Sequence, residues 1–420
     1  MPFRQGTISY VRTRIDSGKP PTAVDEGALK RLGEFAIAPD ACGSGTPVAV
    51  GWITPRHLLD TVFTHEACGF DGALLASMRV DSVAVPAGIR RAYRQQAEDE
   101  TRGGPQRTGL SRADRMEAKE RAEQRCMHEV GEGLWRRHGE RPMLWDLSRG
   151  IILAPIDSDA AFQQFKGLLY ETFKCSIARD AAGARAAIEA RDLGASSALR
   201  DAEIDAFVGP PARVATDAEG APRRLTDRPD PAWASADPND FLGNVFLLWL
   251  WWHTEEHEGL VAIDAKVEVA LVAERVLDLE CAWGVTGGLS LRADAPTRLA
   301  EAARALQGGK MPRRMGLTIA SEGEQWKCTL QGDRLAVSGL ALPRPEERPK
   351  SERDAVEQRV ASALSFDRTV LALYRAFLRR RLASSWPGER GEISKWIAQR
   401  GVAKTVAVID GARGQPVPQR

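Results

Sequence analysis

The 420-residue sequence has no Cys-x-x-Cys pair, no apolar run long enough to cross a membrane, no phosphate-binding glycine loop and almost no net charge. Each absence excludes something. The six cysteines (Cys42, Cys68, Cys126, Cys175, Cys281 and Cys328) are scattered singly, and no N-terminal signal stretch is evident. Reduced thiols in a cytoplasmic protein are therefore expected, not a disulfide framework. The longest apolar stretch, residues 241–252, is interrupted by Gly243 and Asn244 and falls well short of the roughly 20 residues that span a bilayer. No membrane partner is expected. Without a G-x-x-x-x-G-K-[ST] loop, ATP hydrolysis is not expected either. A formal net charge of +1 gives no global attraction to polyanions, so any such binding must come from local patches.

What is present is an ordinary globular composition, 43% hydrophobic and 27% charged, long enough for two or three domains. Strand and helix patterns alternate over residues 1–86 and 142–177, which read as an N-terminal α/β region. Its strands are GTISYVRTRI, VAVGWI and GALLASMRVDSVAVP, with helices through EGALKRLGEFAI and around HLLDTVFTHEA. MLWDLSRGIILAP reads as a hairpin turning at Ser148-Arg149-Gly150, after which Asp157-Ser158 caps a helix. Residues 87–141 differ: thirteen Arg/Lys and ten Asp/Glu lie on two polar helical stretches joined by TRGGPQRTG, the composition of a projecting helical finger. Residues 178–238 are poor in large apolar side chains and read as an insertion or linker with one helix at most. Residues 239–390 form a C-terminal α/β region with a long closing helix, and 391–420 a tail. The fold class expected is α+β, with mixed or antiparallel sheets packed by helices.

One stretch invites a sharper reading. In FLLWLWWHTEEHEG, His253-Thr254-Glu255-Glu256-His257 fits H-x-x-E-H, and His253 and His257 would share a helix face as zinc ligands do. A zinc-dependent hydrolase is thus one alternative. However, five residues match often by chance, and no second motif supplies a third ligand. A buried apolar helix ending in charge, N-capped by Asp237 or Asn239, is the expectation, with no catalytic residue, metal or cofactor.

The basic clusters RRAYR, KMPRR and FLRRR suit phosphate, because an arginine fork donates in pairs and each neutralised phosphate releases counterions. No helix-turn-helix, zinc finger or other base-reading module is visible, so contact with the DNA backbone is the mode to expect. A protein that assembles without touching DNA is the other alternative.

Several motifs in order resemble the bacterial recombination-associated RdgC family. In the N-terminal half they are GW at 51–52, THEACG at 64–69, the charged segment after VAVP, and LWD, RGIILAP and DS. In the C-terminal half they are LECAWGVTGGLSLRADAPTRLAEAARALQGGKMPRRMGLTI and SALSFDRTVLALYRAFLRRRL. The similarity covers most of residues 1–385 outside 178–238. It implies a homodimer that closes into a ring around duplex DNA, with little sequence preference and single-stranded DNA a secondary ligand. Such a protein restrains RecA and associates with the nucleoid. On this resemblance Trp135 falls on the finger aromatic of the tip contact, followed by Arg136 and Arg137. The DNA-binding set is Arg90, Arg91, Arg94, Arg136, Arg137, Arg292, Lys310, Arg313 and Arg314. The chain departs from the family after Gly-Gly, where Ala293, Asp294 and Ala295 replace basic and amide residues.

Overall fold

The computed structural model describes residues 2–39, 41–42, 46–103, 109–210, 229, 237–284, 287–345 and 348–400. Its first elements are β1 (Ile8–Ser17), α1 (Glu26–Glu34), β2 (Val48–Ile53), α2 (His65–Cys68), β3 (Gly69–Phe70) and β4 (Ala73–Val83). There follow α3 (Ala87–Arg102), α4 (Arg112–Gly131), β5 (Arg136–Asp146), β6 (Ile151–Ala154), α5 (Asp159–Phe173), β7 (Ser176–Arg179), α6 (Ala182–Asp192) and α7 (Ser196–Arg200). Next come α8 (Phe241–Glu256), β8 (Leu260–Ala262), β9 (Glu268–Cys281), β10 (Leu289–Ala293), a 3-10 turn (Pro296–Arg298) and α9 (Ala300–Gln307). The chain closes with β11 (Lys310–Ser321), β12 (Glu324–Gln331), β13 (Ala336–Ala341), α10 (Glu352–Arg381) and α11 (Trp386–Gln399). Helices and strands mix, and every ladder whose register is described is antiparallel. Among the described residues no helix is long and apolar enough to cross a membrane.

The chain divides into two compact units. The first comprises Ile15–Gly150 and Pro155–Ile177, and the second Pro2–Arg14, Ile151–Ala154 and everything from Ala178 onward. The first unit is built on strands ordered β5-β4-β2, with β3 paired to β4. Ser158 starts α5 by accepting from the Ala161 amide. That helix lays Phe165 edge-on against Trp52 at 5.8 Å and Phe173 against Trp145 at 5.4 Å. The Trp52 indole donates to Thr172 Oγ1 at 2.8 Å, so even the buried ring nitrogen is satisfied. The helix expected around HLLDTVFTHEA is absent apart from the short α2. Asp60 takes over the loop instead, its carboxylate accepting from Thr54 Oγ1 and the Val62 amide while its carbonyl accepts from the Thr54 amide. Local side-chain bonds of this kind compete with helix.

The second unit is a sheet ordered β10-β9-β11-β12-β13-β1-β6, with β8 paired to β9. Alternation in β9 sends Val269, Leu271, Ala273, Leu277 and Leu279 into the core. Helix α8 packs there, buried on all sides from Phe241 to Trp252. Phe246 meets Tyr374 and Phe377 of α10, and Trp249 donates to Glu389 of α11. Gly243 allows the closest approach in this core, since a Cβ there would lie 2.0 Å from the Gly332 carbonyl oxygen. Asp240, not Asp237 or Asn239, is the N-cap of α8, and its carboxylate accepts instead from the Gly183 amide in the first turn of α6.

Residues 178–207 overturn the linker expectation. They carry β7, α6 and α7, with Ala182, Ala186, Ala190, Leu199 and Phe207 buried. Alanine-rich helices score as weakly hydrophobic, yet their short side chains let α6 pack against α8 and α10. Residues 211–228 and 230–236 lie outside the described residues. The tail expectation also shifts, because 391–399 continue α11 and bury Ile393, Trp396 and Ile397. Residues 401–420, including GARGQPVPQR, are outside the described residues. All six thiols are buried, and burial pushes Cys68 and Cys328 up to about 12.

Candidate nucleic-acid interface

The outward side of the second unit's sheet is where the C-terminal basic residues converge. Residues that alternate with the buried ones on β9 (Ala270, Val272, Glu274, Val276 and Asp278) remain exposed or part-exposed, Val272 at 57%. The ladder places Arg292 opposite Val276, Ser290 opposite Asp278, and Arg314 opposite Asp278 on the other flank. Lys327 of β12 reaches Glu274 at 3.3 Å, and Arg275, whose own φ is 64°, lies 3.8 Å from the same carboxylate. Arg292 bonds Asp278 at 2.7 Å and Arg314 stands 3.9 Å from it. Four cations thus share two carboxylates within this group of side chains. Burial raises Asp278, but hydrogen bonds from Arg292 and Ser290 and the charges of Arg292 and Arg314 outweigh it and hold the carboxyl below its ordinary value.

Two residues of KMPRR are committed elsewhere. Arg313 sits where the β11 register shifts, and its guanidinium bonds Glu280 at 2.7 Å and the buried Asp333 at 3.1 Å. That makes Arg313 a fold contact between strand and turn, not a free phosphate ligand. Lys310 Nζ donates to the Gly287 carbonyl. The altered loop contributes through backbone only, the Asp294 carbonyl accepting from the Arg275 amide. Arg275 and Lys327 stand outside any contiguous basic cluster. The signal for Lys327 is alternation, visible in Trp326-Lys327-Cys328, where a cation stands between two buried residues, whereas Arg275 breaks the alternation of β9 where the register shifts.

In the first unit, α3 and α4 pack against each other through Ala97, Ala118, Ala122 and Cys126. Arg125 lies over the Tyr93 ring at 4.2 Å, and Tyr93 donates to Glu129. Arg94 is spent on Glu98 at 2.9 Å, whereas exposed Arg90 and Arg91 have no ion pair among the described residues. The expected tip position of Trp135 is corrected. Residues 136–141 belong to β5, paired with β4 as Arg136 opposite Val83 and Arg137 opposite Ser82. The Trp135 carbonyl accepts from the Ala84 amide, and its indole donates to Glu129 at 2.9 Å. Trp135 therefore marks the end where the helical pair joins the sheet, and Gly103 and Ser111 cap the two helices at their other ends. The sequence pattern misleads because a strand rich in Arg, His and Glu carries no apolar alternation until Met143.

The HTEEH stretch closes α8. His253 and His257 have ring centroids 4.7 Å apart, and His253 also stacks edge-on against Trp249 at 4.2 Å. Among the described residues no group of three His, Cys, Asp or Glu side chains comes together as metal ligands do. Glu255 accepts from the Trp251 indole and binds Arg400. Burial, with the neighbouring His257 pushing the same way, lowers the His253 imidazole to about 4. The unfolded chain's imidazole titrates near 6.5. Stability tied to neutral His253 is therefore complete above that value and is lost as the pH falls from about 6.5 toward about 4. The loss amounts to at most about 3 kcal/mol. Urea unfolding from neutral to acid pH checks it: His253→Gln should flatten the acid limb, and an acid limb identical to the parent's would refute the assignment.

Compared with known proteins, the chain matches no family model and no curated protein.

Proposed function

We propose that this protein binds duplex DNA without reading its bases. It does so chiefly through the outward sheet face carrying Arg275, Arg292, Arg314 and Lys327. The observation that carries the reading is the clustering of four cations around two carboxylates, presented on a broad β surface with small neighbours such as Ala270, Ser290, Thr329 and Ser338. Side chains at alternate strand positions spread their charges over an area that phosphates can track, whereas nothing among them is positioned as a base-reading helix. The RdgC resemblance extends the proposal: a homodimer encircles the duplex, associates with the nucleoid and limits RecA-driven recombination. Arg90, Arg91, Arg136 and Arg137, gathered at the sheet end of the helical pair, add phosphate contacts in the first unit.

Asp278 provides a test in which binding should improve. It lies between Arg292 and Arg314 and draws on both charges. Asp278→Asn keeps the shape and removes the competing anion. Affinity for a long duplex should rise severalfold, with a salt slope steeper by up to about 0.9 for each phosphate newly engaged. Gel shifts of parent and variant across a salt series decide it. Unchanged or weaker binding by Asp278→Asn would place the DNA elsewhere.

A further inference from the structure

In the first unit, a pocket of about 380 Å³ lies where the helical pair leaves the sheet. Its size falls within the range of small-ligand sites, and its walls are largely apolar, as such sites require. Val83 and Val85, in the chain that leads from β4 into α3, form one side. Cys126, Met127 and Val130 of α4 form the other. Cys126 and Val130 are buried, whereas Met127 is 53% exposed. Positions 123, 126, 127 and 130 recur at spacings of three and four, so a single stripe of α4, about 10 Å long, faces the pocket.

Two charged side chains complete the lining, Arg90 of α3 and Glu123 of α4. The helices run antiparallel, with Tyr93 bonded to Glu129 and Arg125 to Gln96 at 3.2 Å. That pairing sets Arg90 beyond Glu129, toward the sheet, and Glu123 on the far side of Arg125. Glu123 has a cation of its own there, Lys119 at 3.8 Å. A cation at one end of an apolar stripe suits an alkyl chain with an anionic head. We propose that this pocket binds a medium-chain fatty acid, its carboxylate on Arg90 and its tail along Val130, Cys126 and Met127. The guanidinium fork matches the two carboxylate oxygens, and the tail exchanges water for the apolar wall. Met127 is unbranched and adaptable, so it can close over the tail.

Calorimetric titration of the full chain with decanoate, kept below its micelle concentration, tests the proposal, with decanol, decyltrimethylammonium and acetate as comparisons. Decanoate should bind one per chain. Decanol, which keeps the tail without the charge, and decyltrimethylammonium, which reverses it, should each bind at least tenfold more weakly. Acetate, with the head alone, should give no measurable heat of binding. Arg90→Gln should weaken decanoate tenfold or more and leave decanol unchanged, a difference that a merely structural role would not produce. Met127→Glu, at an exposed helix position, should weaken both, with circular dichroism and unfolding as in the parent. No binding of decanoate, several molecules per chain, decanol as tight as decanoate, or parental affinity in either variant would overturn the site. The titration contains no DNA, so this proposal and that of duplex binding fail separately.

Discussion

Replacing Asp367 by alanine is expected to destabilise the second unit by roughly 3–5 kcal/mol, the cost of leaving a buried charge without its partner. Asp367 of α10 and Arg12 of β1 are both completely buried, with Nε–Oδ1 and Nη2–Oδ1 distances of 2.8 and 2.5 Å. Tyr10 adds its hydroxyl to the same carboxylate at 3.3 Å. Burial alone would lower the guanidinium, but the Asp367 carboxylate more than offsets it, and Arg12 is raised above its ordinary value. Without Asp367 the cation is left with the field of Asp180, and that carboxylate is already bonded by Arg185. Urea unfolding of Asp367→Ala should show the loss, and Arg12→Met/Asp367→Leu should recover most of it, because removing both charges removes the desolvation cost. An alanine variant as stable as the parent would mean that the pair is not buried as described.

Reversing Arg292, Arg314 and Lys327 to glutamate should lower affinity for duplex DNA on the order of a hundredfold or more at low salt. It should also flatten the salt slope by about 0.9 for each phosphate no longer neutralised. All three side chains are roughly half exposed, so circular dichroism and unfolding should stay near the parent's. Arg313→Glu should behave differently. It would place a third carboxylate against Glu280 and Asp333, so its main effect should be lower stability. Equal affinity and slope in the triple variant would remove the sheet face from DNA binding.

The contrast between Arg313 and Arg314 shows where the sequence is legible. Both stand in KMPRR, and a local window finds them equally basic. Their roles diverge because β9, some thirty residues earlier, brings Glu280 to one and shares Asp278 between the other and Arg292. Register across strands is a non-local property that no local pattern carries. Where the signal is local, sequence and structure agree: Val48–Ile53 is a strand, Ser158 starts α5, and the Trp-rich stretch is a helix buried on all sides. Residues 178–207 differ for another reason. Alanine and glycine read as linker composition, whereas here they permit close helix packing, and the apolar surface they meet is supplied by α8 and α10. Register moves Trp135 too, since β4 and β5 pair as far out as Val83 and Arg136.

The most direct measurement is the affinity of the intact protein for two unrelated long duplexes of equal length, followed from roughly 50 to 200 mM salt. Binding should weaken steeply with salt, with the same slope and nearly the same affinity for both sequences. Absence of binding at the lowest salt, an affinity indifferent to salt, or a strong preference for one duplex would overturn the proposed backbone-directed DNA binding.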